Sequence, residues 1–262
     1  MDILRQIVAR KRDRLRDLKS SVPLSELKRR LHDLDSPRGF RDAVTRGNRG
    51  IRLIAELKQA SPSKGLLRKD FDPVEIASIY ERSLVDAVSV LTEEDFFQGK
   101  PEYVRMVKAV TSKPVLRKDF IFDEYQLYEA RCLHADAILL IAAILERSQA
   151  EEFLHLAGEL SLGVLFEVHD EDDLDKALFL DADILGINNR DLRTLKVDLQ
   201  TTLRLKRDIP VGKTVVSESG ITDRNDVESL DAAGIDAMLI GTSLMQAPDI
   251  TRKILDLMAI RS

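Results

Sequence analysis

Five short apolar segments of this 262-residue chain end in side chains that can hold or move a proton. Glu56-Leu57-Lys58 closes one of them and Leu116-Arg117-Lys118-Asp119-Phe120 a second. The others close on Phe166-Glu167, on Asn188-Asn189-Arg190 and on Ser217-Glu218-Ser219-Gly220. Carboxylates beside a lysine favour its charged form, and a protonated lysine can act as a general acid. A lysine amine can instead attack a carbonyl to form a Schiff base, and Lys58 and Lys118 are the candidates for that chemistry. One charged segment end is readily explained by solvation. Five together call for a function, because charge that is buried is costly unless it is paired or used.

The elements that carry these ends repeat along the chain. Strands are expected at 51–57, 86–91, 114–118, 136–141, 163–167, 183–187, 214–218 and 236–240. Helical patterns lie near 73–83, 101–111, 123–134, 146–160, 170–180, 198–208, 222–233 and 249–260. Strands alternating with helices argue for a parallel sheet, and eight such units argue for its closure into an α/β fold, the (β/α)8 TIM barrel. An open doubly wound sheet is the structural rival, but no G-x-G-x-x-G follows the first strand. Asp72-Pro73 and Asp170 suit the N-caps of their helices.

A barrel places its active site at the C-terminal ends of the strands, where these charges fall. Alternation puts Glu56 and Lys58 on one face of the first strand and Ala55 and Leu57 on the other, so Glu56 and Lys58 should face the barrel mouth. Lys118 should point inward with Leu116. After the seventh and eighth strands come Ser219-Gly220 and Gly241-Thr242. Either pair alone is an ordinary turn. Together they occupy the positions where barrels commonly cradle phosphate on backbone amides.

Residues 1–48 differ in texture. Ile3, Ile7, Val8, Leu15 and Leu18 recur at helical spacing, Pro23 interrupts, and Leu24, Leu27 and Leu31 follow. Two helices with one apolar stripe each are expected to pack on a larger body. Residues 37–50 read as loop. The chain is therefore expected to be one domain over 1–262, with a helical extension (1–48) and a barrel (49–262).

Bulk properties narrow the function. At 44% hydrophobic residues the chain can build a sizeable core, and a net charge of −5 gives no sign of nucleic-acid binding. Cys132 is the only cysteine, so an intrachain disulfide is excluded; this fits a reducing, cytoplasmic setting, with Cys132 itself read as a small core residue. No apolar stretch is long enough for a signal peptide or a membrane span. Asp2, Asp13 and Asp17 argue against an Arg-rich targeting peptide. His32, His134, His155 and His169 lack metal-ligand spacing, so no metal is expected; His169 is read as a helix-start hydrogen-bonding residue. No P-loop or nucleophile-elbow motif is present.

The same residues resemble the indole-3-glycerol phosphate synthase family. The matching stretches are IAELKQASPSKG (54–65), VLRKDFI (115–121), LFEVHD (165–170), GINNRDL (186–192), SESGI (217–221) and LIGTSLM (239–245). With the helical extension, the resemblance spans nearly the whole chain, and Phe166 and Thr242 are its minor departures. It implies Lys118 as the general acid on the substrate's carbonyl oxygen and Glu167 as the acid/base of a dehydration. Glu56 and Asn188 would orient Lys118 and the reacting groups, and Lys58 would contact the substrate's anionic ends. Arg190 and Ser61 would lie near a benzoate carboxylate. Ser219, Gly220, Gly241 and Thr242 would hold a phosphate, with Glu218 among the substrate-binding residues. Phe120, Pro62 and Leu139 would wall an aromatic ring. The resemblance implies a small substrate carrying phosphate and carboxylate, no cofactor, no nucleic-acid or membrane partner, and an assembly that could be a monomer.

Two other readings follow from the residues alone. One is another phosphate-binding barrel, either a sugar-phosphate isomerase or a Schiff-base aldolase. The other is a non-catalytic binding barrel with residues 1–48 as a partner-docking arm.

Overall fold

A computed structural model describes residues 3–48, 50–191 and 194–258. Among them eight parallel strands close into a barrel. The strands are β1 (Arg52–Leu57), β2 (Ala87–Leu91), β3 (Val115–Lys118), β4 (Ala137–Ile141), β5 (Gly163–Val168), β6 (Ile184–Asn188), β7 (Thr214–Glu218) and β8 (Ala237–Ile240). Each lies within one residue, at either end, of the span expected from the sequence. β1 closes the ring by pairing with β2 through Ile54↔Ala87 and with β8 through Ala55↔Ile240. Both faces of the strands are covered, which is why they read as nearly continuous apolar runs.

The extension comprises α1 (Ile3–Ser21), α2 (Leu24–Arg30) and α3 (Phe40–Val44). The first two are the expected pair, divided at Pro23. The third corrects the expectation of loop over 37–50. Phe40 and Val44, one helical turn apart, are buried against the inner barrel residues and plug its N-terminal end. A stripe of two apolar residues is too short for periodicity to reveal. In α1 the buried positions are Leu4, Ile7, Lys11 and Leu15, so a charged residue sits within the apolar stripe.

Helices α4 (Pro73–Glu81), α5 (Glu102–Lys108), α6 (Glu124–Cys132), α7 (Arg147–Glu159), α8 (Glu171–Phe179), α9 (Gln200–Leu205), α10 (Arg224–Ala232), α11 (Thr242–Met245) and α12 (Ile250–Met258) complete the described α-helices. Asp72 accepts from the amides of Val74 (2.8 Å) and Glu75 (3.1 Å), and Asp170 accepts from Asp173 N at 3.0 Å, as N-caps do. Asp123 and Asp223 cap α6 and α10 in the same manner. Cys132 is half-buried beside Leu15, Leu27 and Tyr125, and burial pushes its thiol pKa up. No helix among the described residues is long and apolar enough to cross a membrane.

Inside the barrel, side chains stack in layers drawn from alternate strands, as this architecture requires. Ile54, Leu116, Leu165 and Val216 come from the odd strands and form an apolar layer. Two residues further along those same strands stand Glu56, Lys118, Glu167 and Glu218. The step of two keeps all four pointing inward. The layer above the apolar core is therefore three carboxylates and one ammonium.

Candidate active site

This charged layer floors a cavity of about 850 Å³ at the C-terminal mouth. Every site residue named from the sequence lines that cavity: the charged four with Lys58, Asn188 and Arg190, the loop residues 219–220 and 241–242, and Ser61, Pro62, Phe120 and Leu139. Phe97 joins Phe120 in the wall, with ring centroids 6.1 Å apart. Ile3, Leu4 and Ile7 of α1 also line the mouth.

The pairing of charges differs from the expectation in two respects. Lys118 Nζ lies 2.8 Å from Glu218 Oε2 and 3.1 Å from Glu167 Oε2. Glu218, expected as a substrate contact, is thus a direct partner of Lys118. Glu56, expected to orient Lys118, faces Lys58 instead, with Oε1 at 2.6 Å from Nζ, and acts on Lys118 only through its charge. Asn188 favours the ionised form of Glu167, and its Oδ1 accepts from Arg190 N at 3.0 Å.

Burial alone would lower the Lys118 pKa. The carboxylates of Glu167, Glu218 and Glu56 outweigh it and hold the ammonium well above the ordinary lysine value. For Glu167, burial pulls upward, but Lys118, His169 and Asn188 hold the carboxylate well below its usual range. Glu218 goes the other way: burial and the charges of Glu167 and Glu56 outweigh Lys118 and push it up to about 7. The contrast has a structural cause. Glu167 has three favourable neighbours, whereas Glu218 has only Lys118, and its Oε1 is buried without a hydrogen-bond partner.

Two glycines make room for these carboxylates. A Cβ on Gly186 would collide with Glu218 Oε1, and one on Gly241 would collide with Glu56 Oε1. Strand β6 and the residue directly after β8 thus give up a side chain where odd-numbered strands need the space. Gly241 was expected from the sequence only as a phosphate contact; Gly186 was passed over, although a glycine inside a strand often marks a close approach.

At the loops, Ser219 takes left-handed backbone (φ 67°), and Asn189 Nδ2 donates to its carbonyl at 3.0 Å. Asn189 also accepts from Thr202 N and Oγ1, so it braces the loop from behind and does not line the mouth. Gly241 immediately precedes α11, whose first amides have no partners within the helix. Arg190 is half-buried, its Nη1 donating to Leu195 O at 3.0 Å, and burial lowers its pKa. Ser61 Oγ is buried without a hydrogen-bond partner.

Behind β3 lies a cluster the sequence reading missed. Arg117 points away from the mouth and meets Asp119 at 3.2 Å and Glu129 at 2.6 Å. Lys11 of α1 reaches Asp119 at 2.7 Å, and Thr92 Oγ1 donates to the same carboxylate at 2.6 Å. The buried lysine in the α1 stripe was the available signal. His169 takes the expected helix-start role through Asp173, and it also reaches Glu167.

A closed eightfold barrel with an ammonium set among carboxylates at its mouth belongs to the (β/α)8-barrel enzymes. More narrowly, the chain belongs to the indole-3-glycerol phosphate synthase family, whose model matches residues 4–257. It is 50% identical to the indole-3-glycerol phosphate synthase of Caldanaerobacter subterraneus subsp. tengcongensis, over 93% of each chain. It is 46% identical to the enzyme of that name from Neisseria meningitidis serogroup B, over 97% of this chain and 98% of the relative. Among solved structures it is similar to thiamine phosphate pyrophosphorylase from Pyrococcus furiosus, with a TM-score of 0.61 and 15% identity over 84% of this chain and 96% of that one. It is similar also to 3-hexulose-6-phosphate synthase from Salmonella typhimurium, with a TM-score of 0.61 and 14% identity over 79% and 97% of the two chains. At such identities the likeness concerns the fold alone.

Proposed function

We propose that this barrel converts 1-(2-carboxyphenylamino)-1-deoxyribulose 5-phosphate into indole-3-glycerol phosphate, releasing carbon dioxide and water, as the carboxy-lyase of tryptophan biosynthesis. The observation that carries the reading is the Lys118 ammonium, held between Glu167 and Glu218 at the floor of the mouth.

The chemistry needs such a group. Ring closure requires an aryl carbon to attack a ketone, a poor electrophile until its oxygen receives a proton. Lys118 donates that proton as the carbon–carbon bond forms. Departure of the carboxylate as carbon dioxide restores the aromatic ring. Glu167 then serves as acid/base in the loss of water that completes the indole, with Asn188 holding its carboxylate. Glu218, raised to about 7, accepts and returns protons beside Lys118.

Both anionic ends of the substrate must be fixed so that its reacting carbons meet. The amides at 219–220 and 241–242 suit the phosphate. Arg190 and Ser61 suit the carboxylate, and Lys58, steadied by Glu56, contacts the anionic ends. Phe120, Pro62 and Leu139 enclose the aromatic ring. The extension over residues 1–48 works as part of the same folded unit. The protein acts in the cytoplasm on this small substrate.

The test is to supply that substrate and follow indole fluorescence and carbon dioxide together. Equal appearance of the two supports the reading. A rearranged or cleaved sugar phosphate, with no indole, would favour the isomerase or aldolase instead.

A further inference from the structure

His169 joins Glu167 to the first turn of α8. It directly follows β5, and its side chain is only 11% exposed. Ring Nε2 lies 3.2 Å from Glu167 Oε1, and Nδ1 lies 3.2 Å from Asp173 Oδ2. The His169 amide donates to the same Asp173 oxygen at 3.1 Å. Asp173 is itself anchored, since its amide donates to the Asp170 cap at 3.0 Å and the helix N-terminus favours its negative charge. The Nε2 contact falls outside hydrogen-bond geometry, so it acts on Glu167 through charge.

Glu167 thus has a cation on each oxygen: Lys118 on Oε2 and His169 on Oε1. The distinction matters once chemistry starts. When Lys118 gives its proton to the substrate, Glu167 loses its neighbouring positive charge. A buried carboxylate stripped of its partner is driven to take up a proton. A second cation, independent of Lys118, prevents this. Burial would lower the His169 pKa, but Asp173 and Glu167, the charged groups acting on it, push it up to about 10, so the ring is an imidazolium at neutral pH.

We infer that His169 is a positioning residue that, clamped by Asp173, holds the Glu167 carboxylate ionised and fixed in the mouth while Lys118 is without its proton. The inference rests on the proposed acid–base roles of Lys118 and Glu167. A purely structural residue would only secure the start of α8.

His169→Gln and Asp173→Asn, compared with the parent enzyme, separate the two. In His169→Gln, kcat should fall about tenfold, a fraction of what a direct acid–base group contributes. KM should change less than about twofold. In the kcat–pH profile, the acidic limb governed by Glu167, which lies below the titration of Glu218, should move up by about one unit, because Glu167 then protonates more easily. Asp173→Asn should move the limb in the same direction by less. Nitrogen-15 NMR of the parent, with the His169 signals assigned through the variant, should show both ring nitrogens protonated at about pH 8. A folded His169→Gln that keeps kcat and the acidic limb would overturn the inference, even with a lowered Tm. A neutral His169 ring at about pH 8 would overturn it too. Should His169→Gln fail to fold, Asp173→Asn and the ring protonation decide. If the parent makes no indole, the functional reading fails, and the NMR alone then decides whether the clamp exists.

Discussion

Glu56 occupies the space that a side chain on Gly241 would fill, so the end of β8 is shaped by a carboxylate of β1. Glu56 is buried and holds Lys58 at 2.6 Å. Gly241→Ala must therefore displace Glu56 before it disturbs any phosphate contact. We expect kcat/KM to fall at least about tenfold, or about 1.4 kcal/mol of transition-state stabilisation. Inorganic phosphate should also inhibit less well. Steady-state kinetics with phosphate as inhibitor measure both, and a variant equal to the parent would remove Gly241 from the site.

Glu218 gives a pH signature. Burial raises it from the ordinary 4.5 to about 7 in the folded protein. An acid raised by folding contributes stability that is fully present below about 4.5 and is lost as pH rises through about 7. At about 1.4 kcal/mol per pKa unit, the change amounts to a few kcal/mol. Glu218→Gln does not titrate, so its stability relative to the parent should rise between about pH 4.5 and 7. Glu167, shifted downward, contributes its own dependence below that window. Denaturant titrations at several pH values check this, and parallel curves for parent and variant would contradict it.

Much of this site could be read from residue order alone. Barrel strands are apolar on both faces, so an inward charge two residues after an inward Leu or Ile stands out, as in Leu116-Arg117-Lys118 and Ile54-Ala55-Glu56. Alternation gives the direction of a side chain but not its neighbour across the barrel. Glu167 beside Lys118 was legible in this way, whereas Glu218 as its other direct partner, and Glu56 as the partner of Lys58, were not. The role of Arg117 was hidden for a related reason: besides Asp119, two residues on, its partner is Glu129, which meets it only through the packing of α6 on β3. The Phe40–Val44 plug was hidden because two apolar residues within a Pro- and Gly-bearing stretch resemble loop.

The extension reaches the site through Lys11. Its ammonium meets the buried Asp119 carboxylate, next in sequence to Lys118, while Ile3, Leu4 and Ile7 line the mouth. Breaking a buried pair usually costs about 3–5 kcal/mol. Arg117 and Thr92 remain on Asp119, so Lys11→Met should cost less, about 2 kcal/mol, and should raise KM. Removing residues 1–48 should do both more severely. Thermal unfolding and substrate titration measure the two effects, and a truncated enzyme matching the parent in both would make the extension a dispensable arm.

The central claim is that Lys118 donates a proton and does not attack the substrate. Its carboxylate neighbours keep it charged, which an acid requires and a nucleophilic amine does not. Lys118→Met should accordingly lower kcat by about a hundred- to ten-thousandfold while leaving phosphate-anchored binding largely intact. The most direct measurement is borohydride trapping during turnover of the carboxyphenylamino substrate, read by mass spectrometry of the digested protein. The account predicts continued indole formation and no covalent adduct. A substrate-sized mass increase on the peptide containing Lys118 would contradict it and establish a Schiff base in place of the acid.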